Sequence, residues 1–185
     1  MDSIQHLLYD YLISSNLSET TSKYLNMLAL FIGLVIITAI VDFITRKLLL
    51  NTFTVFAYRS KSKFDNILVS NKVPRNIAHI IPLIIALKLI PTVFVDFPNF
   101  ENIIEKGLQV YAIILTLWIV RRLFNSIKDY LKTLPRFKDK PIDSYIQVFM
   151  IFAWIIGIFS IFAVITGISF WKFATTLGAA SAIII

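Results

Sequence analysis

Two histidines, His6 and His79, and no cysteine bound what chemistry this chain can do. Thiolate metal sites, disulfides and cysteine nucleophiles are excluded outright. His6 and His79 lie far apart in sequence and on different predicted elements, so they do not form a ligand pair. No HExxH, GxGxxG, phosphate loop or nucleophile elbow occurs. The carboxylates fall mostly in polar connections or at the ends of apolar runs. The sequence therefore predicts no enzyme, no metal site and no cofactor. His79 opens an apolar run and reads as a helix-end hydrogen-bonding residue. Two charges fall inside apolar segments. Asp42 precedes Arg46 by four residues, the spacing of an i,i+4 ion pair at a membrane interface. Lys88 sits between Leu87 and Leu89, where a lysine at a bilayer centre costs about 2.5–3.5 kcal/mol. It either faces an aqueous cavity or a buried acid, or it snorkels to headgroups. Its depth in the run and Pro91 three residues on favour a structural, lipid-contacting lysine outside any conduction path.

The elements that must hold these residues are long apolar runs. The chain has 185 residues, 57% of them hydrophobic and only 16% charged, with a mean hydropathy of +0.77. A soluble domain of this length carries about a quarter charged residues, so the composition predicts an all-α, polytopic membrane protein. Four complete spans are expected at about 24–45, 77–95, 103–124 and 145–166, and a fifth begins near Ser169. Residues 3–13 place Ile4, Leu7, Leu8, Tyr11 and Leu12 on one face of a short interfacial helix. The polar stretch 14–23 then supplies caps. Helical pattern continues past the first span into 46–58 and past the third into 121–134, as basic amphipathic extensions or ordinary connecting helices. The organisation expected is an N-terminal amphipathic segment over 1–21, a four-helix membrane unit over 22–168 and the start of a further helix over 169–185. From Trp171 to Ile185 a helix would be about 22 Å long, short of a hydrocarbon core of about 30 Å. The chain is accordingly expected to continue beyond Ile185.

The net charge of +7 is concentrated in two blocks. One contains Arg46, Lys47, Arg59, Lys61, Lys63, Lys72 and Arg75; the other contains Arg121, Arg122, Lys128, Lys132, Arg136, Lys138 and Lys140. Both adjoin apolar runs and so read as topology and headgroup signals rather than a nucleic-acid surface. Arg46, Lys47, Arg121 and Arg122 are the expected headgroup contacts beside Lys88. Residues 96–106 and the N-terminal 26 carry the acidic excess. The positive-inside rule places both basic blocks in the cytoplasm and the N-terminus outside.

The stretch 171–185, WKFATTLGAASAIII, opens with an interfacial anchor, Trp171 and Lys172. Ala174, Gly178 and Ala182 follow at i, i+4 and i+8, with Ala179 alongside. That gives a thin face on which helix backbones approach closely. Such a face suits either a ring of identical helices or one contact inside a monomeric bundle.

Three segments together resemble the five-span branch of the small-conductance mechanosensitive channel family. They are the ridge Leu177-Gly178-Ala179-Ala180-Ser181-Ala182, the segment 64–82 (FDNILVSNKVPRNIAHIIP, with Phe64-Asp65 and His79…Pro82 as matching points) and the segment 140–148 (KPIDSYIQV). The resemblance covers most of residues 60–185. It implies a homo-heptamer in a bacterial inner membrane, with membrane lipids as partners. Spans one to four would form a lipid-facing paddle, and a fifth span lining the pore would include Ala174, Gly178, Ala179, Ala182 and Ile185. A cytoplasmic β-domain would follow. The implied activity is release of ions and small osmolytes under membrane tension. A small secondary transporter, favoured by Lys88 and the prolines of the second span, and a membrane anchor for a soluble domain are the rival expectations.

Overall fold

The computed structural model describes residues 7–60, 62–137, 139–169, 171–172, 175–176 and 178–179. It is all-α, with no strand among the described residues. The helices are α1 (Leu7–Ser14), α2 (Glu19–Arg59), α3 (Lys63–Ser70), α4 (Val73–Ala78), α5 (Ile80–Val93), α6 (Pro98–Lys132) and α7 (Ile142–Thr166), with a 3-10 turn at Pro135–Phe137. Among the described residues, four stretches are long and apolar enough to cross a membrane: Glu19–Arg59, Val73–Val93, Pro98–Lys132 and Ile142–Thr166. The first, third and fourth contain the expected spans and extend them, α2 to Arg59 and α6 to Lys132. At 41 residues α2 is about 60 Å long, twice the hydrocarbon thickness.

The helix ends have local causes. Ser18 accepts a hydrogen bond from the Thr21 amide at 3.3 Å and caps α2. Ser62 does the same for α3 through the Phe64 amide at 3.2 Å. Pro98 opens α6 at the first helical position, where its missing N–H is no loss. Gly167 closes α7 in the left-handed region at φ 71°, its amide bonded to the Ala163 carbonyl at 2.9 Å.

The second apolar stretch departs from the sequence expectation. It is two helices, α4 and α5, broken at His79. Pro82 has no N–H to give the Ala78 carbonyl, and its ring crowds that carbonyl. The helical ladder is therefore interrupted one turn ahead of the proline. Pro91, the other proline of the stretch, lies inside α5, and the helix continues to Val93.

The chain divides into two compact units. The first contains Met1–Lys47 and Ala78–Leu108. Its core is Leu34 of α2 with Ile90, Val93 and Phe94 of the α5 region, and Leu30, Leu89, Ile104 and Leu108 pack against it. The ring pairs Tyr24–Phe97 (4.7 Å between centroids) and Phe31–Phe94 (6.0 Å) extend it.

The second unit contains Leu48–Ile77 and Gln109–Ile185. Its α6 and α7 approach closely at Gly157, where a Cβ would stand 2.6 Å from Leu117 Cδ1. The Phe124–Phe149 pair, 4.9 Å between centroids, joins the same two helices. Phe64 of α3 meets Tyr130 of α6 edge-on at 5.4 Å.

Most of the apolar side chains of α2 and α7 point away from both cores. Ile32, Val35, Ile36, Ile40 and Phe43 on α2 are exposed, as are Phe149, Phe152, Ile155 and Ile158 on α7. Contiguous apolar surface on this scale is covered by lipid or by partner helices.

Candidate functional site

α6 lines a polar concavity in the second unit. Trp118, Arg121, Arg122 and Asn125 follow at i, i+3, i+4 and i+7, which lines them along one helical face. Asn76 of α4 completes a cavity of about 450 Å³. The sequence forces α4 into place through Asn71, the C-terminal cap of α3. Its carboxamide donates to Ser126 Oγ at 3.2 Å and to Asp129 Oδ2 at 2.9 Å. Ser126, fully buried, donates in turn to the Arg122 carbonyl at 2.9 Å. Lys72 follows with φ 60°, a left-handed turn that starts α4 directly after α3. Replacing Asn71 by alanine leaves Ser126 and Asp129 without that donor, and the expected loss is about 1–3 kcal/mol, measurable as a lower unfolding midpoint in detergent.

Arg121 and Arg122 are exposed, and neither makes an ion pair or side-chain hydrogen bond among the described residues. The lysines further along α6 are partly compensated instead. Lys128 and Lys132 both pair with Asp143 at the start of α7, Lys128 at 3.3 Å. A second cavity of about 430 Å³ runs from Arg121 and Asn125 past this ion pair to Trp154 on α7. The arrangement therefore presents two uncompensated guanidiniums, two carboxamides and an indole around one hollow. Guanidiniums bind phosphate in a bidentate fork, carboxamides add neutral donors, and indoles favour the membrane interface. The sequence singled out the two arginines. It passed over Trp118, Asn125 and Asn76, although the i, i+3, i+4, i+7 spacing on α6 was there to be read.

The other expected contact residues do not join this hollow. Arg46 and Lys47 belong to the first unit and make no ion pair among the described residues. Lys88 is exposed on α5 and likewise has no side-chain partner there. The i,i+4 pair expected between Asp42 and Arg46 is absent. Asp42 Oδ1 instead meets His79 Nδ1 at 2.6 Å, with both side chains only about a quarter exposed (26% and 29%). His79 lies at the break ahead of α5, and its ring meets the carboxylate on α2. His79 stands at the start of α5, but its side chain makes no cap there and bonds instead to a carboxylate 37 residues away.

At the C-terminal end, Trp171, Lys172, Thr175, Thr176, Gly178 and Ala179 have helical backbone and are exposed. Thr175 Oγ1 donates to the Trp171 carbonyl at 2.9 Å. Ala174, Ala182 and Ile185, the remaining residues of the expected pore-lining face, lie outside the described residues. Among the described residues no group of histidines and carboxylates is placed to hold a metal ion. No family model, curated relative or solved structure matches the chain.

Proposed function

We propose that this chain is the membrane portion of a tension-gated channel, a homo-heptamer in a bacterial inner membrane that passes ions and small osmolytes. The observation that carries this reading is the end of α7. The helix stops at a left-handed Gly167, and helical backbone resumes within a few residues with Trp171 and Lys172, followed by the small pair Gly178 and Ala179. A short turn into a thin-faced helix is what a ring of closely packed pore helices needs. The outward apolar faces of α2 and α7 supply a large lipid contact. Tension acts on such a protein only through a difference in in-plane area between its states, and a hydrophobic constriction gates by dewetting. In this reading the hollow at Arg121 and Arg122 holds headgroups of the cytoplasmic leaflet. Particle images of the purified protein test the assembly: seven-fold rings are expected, and monomers or dimers would reject it. Replacing Gly178 by leucine is expected to shift the gating tension in patch recordings, and unchanged gating would remove Gly178 from the packing face.

A second reading, a small secondary transporter, is favoured by one observation. The second apolar stretch is a broken helix with a histidine–aspartate pair at the break, and transporters place binding sites at such breaks. Solute flux into vesicles without applied tension would favour it over the channel.

Both readings share an orientation, and the cysteine-free background makes it testable. Ser62→Cys and Lys138→Cys are expected to resist an impermeant thiol reagent added outside, and Asn99→Cys is expected to react. External labelling at position 62 would reverse the topology.

A further inference from the structure

We propose that Asp42 and His79 form a proton-binding site whose occupancy decides how firmly the break ahead of α5 is held to α2. The geometry is specific. The two side chains meet at 2.6 Å, and neither has another side-chain partner among the described residues. Both are largely withdrawn from water, where a charge pair is screened less than on an open surface. The imidazole sits where the backbone ladder is already interrupted by Pro82, at φ −69° and ψ −12°, and it makes no side-chain cap to α5. What holds this junction to α2 is therefore a side-chain contact rather than the helix itself.

Histidine is the side chain whose ordinary titration falls in the physiological range. With a proton on the ring, the contact is a charge-assisted hydrogen bond between unlike charges. Without it, Nδ1–H can still donate to the carboxylate, but the bond is then about half as strong. Proton loss thus loosens the contact without abolishing it. Among the described residues, the other charges of this unit are Arg46 and Lys47 after Asp42 on α2, Lys88 on α5 and Glu105 and Lys106 on the α6 segment, with Asp10, Glu19, Lys23, Asp96 and Glu101 elsewhere in the unit. Arg75 precedes His79 by one turn of sequence on α4. Neither Asp42 nor His79 bonds to any of them. This inference goes beyond the channel reading and does not depend on it, because any function of the chain would inherit the same proton-dependent contact.

Hydrogen exchange of the full chain in detergent micelles tests it, followed by mass spectrometry on the peptide covering 76–84 and corrected for the intrinsic pH dependence of exchange. In the wild type, protection is expected to fall about five- to ten-fold between pH 6 and pH 8.5, the span between charged and neutral hydrogen bonds. His79→Gln and Asp42→Asn are each expected to show a flat profile. The exchanged pair, Asp42→His with His79→Asp, is expected to recover the pH dependence. A flat wild-type profile, or an unchanged slope in His79→Gln, would overturn the proposal. Should the single variants fail to fold, His6→Gln leaves His79 as the sole imidazole for proton–carbon NMR. Its titration midpoint must then coincide with the change in exchange, and separate midpoints would equally overturn it.

Discussion

Leucine at position 157 is expected to disrupt the second unit more than any other single change considered. A Cβ at this site already stands 2.6 Å from Leu117 Cδ1, and 3.3 Å from both Cδ2 and Cγ. The rest of a leucine side chain has nowhere to go unless α6 and α7 separate. Overpacking of this kind destabilises by about 1–3 kcal/mol. Gly157→Ala is expected to be much milder, because the atom it meets is the far end of a flexible side chain. Combining Gly157→Leu with Leu117→Ala should restore much of the loss. Unfolding midpoints of the three variants in one detergent check this. Equal midpoints for Gly157→Leu and wild type would mean that α6 and α7 are not packed at this point.

The second large effect is expected at Arg121 and Arg122. Neither guanidinium is paired within the described chain, so removing both leaves no carboxylate stranded and should leave folding intact. Basic residues near an anionic leaflet contribute about 1 kcal/mol each. Arg121→Gln with Arg122→Gln is therefore expected to weaken retention of anionic phospholipid by about thirty-fold, with little change for a zwitterionic lipid. Native mass spectrometry of the protein from mixed micelles reads both. Lys128→Gln is the control: its charge is already shared with Asp143, so the expected loss is smaller. Equal losses from the arginine pair and from Lys128→Gln would show that bulk charge, rather than the hollow at Trp118 and Asn125, attracts the lipid.

These two sites differ in how far they could be read in advance. The helices α2, α6 and α7 follow from apolar runs with evident caps and stops, because each signal acts within one turn of the residue that carries it. The arginines of the hollow are legible for the same reason, as a basic pair at the end of an apolar run. Asn76 and the Gly157–Leu117 contact depend on which helices become neighbours, and no local pattern specifies that. The break at His79 was readable in principle. Two prolines share that stretch; Pro91 stays inside α5, whereas Pro82 acts backwards on Ala78. Asp42 shows the complementary error. Arg46 at i+4 is the nearest basic partner along the chain, but the carboxylate bonds to a histidine at the break ahead of α5. The small-residue ridge near the C-terminus was read from spacing alone, and of its residues only Gly178 and Ala179 fall within the described structure.

The break ahead of α5 also bears on how the protein is made. With 14 residues, α5 is about 21 Å long, well short of the hydrocarbon core of about 30 Å, and it carries Lys88. Only together with α4, as Val73–Val93, is the stretch long enough to span. Its apolar face is matched by Leu34 on α2, already synthesised, and by Ile104 and Leu108 on α6, which have yet to emerge. Burial of that face is therefore completed only after the start of α6 has been synthesised, so the core of the first unit closes later than the chain order of α2 and α5 alone would suggest.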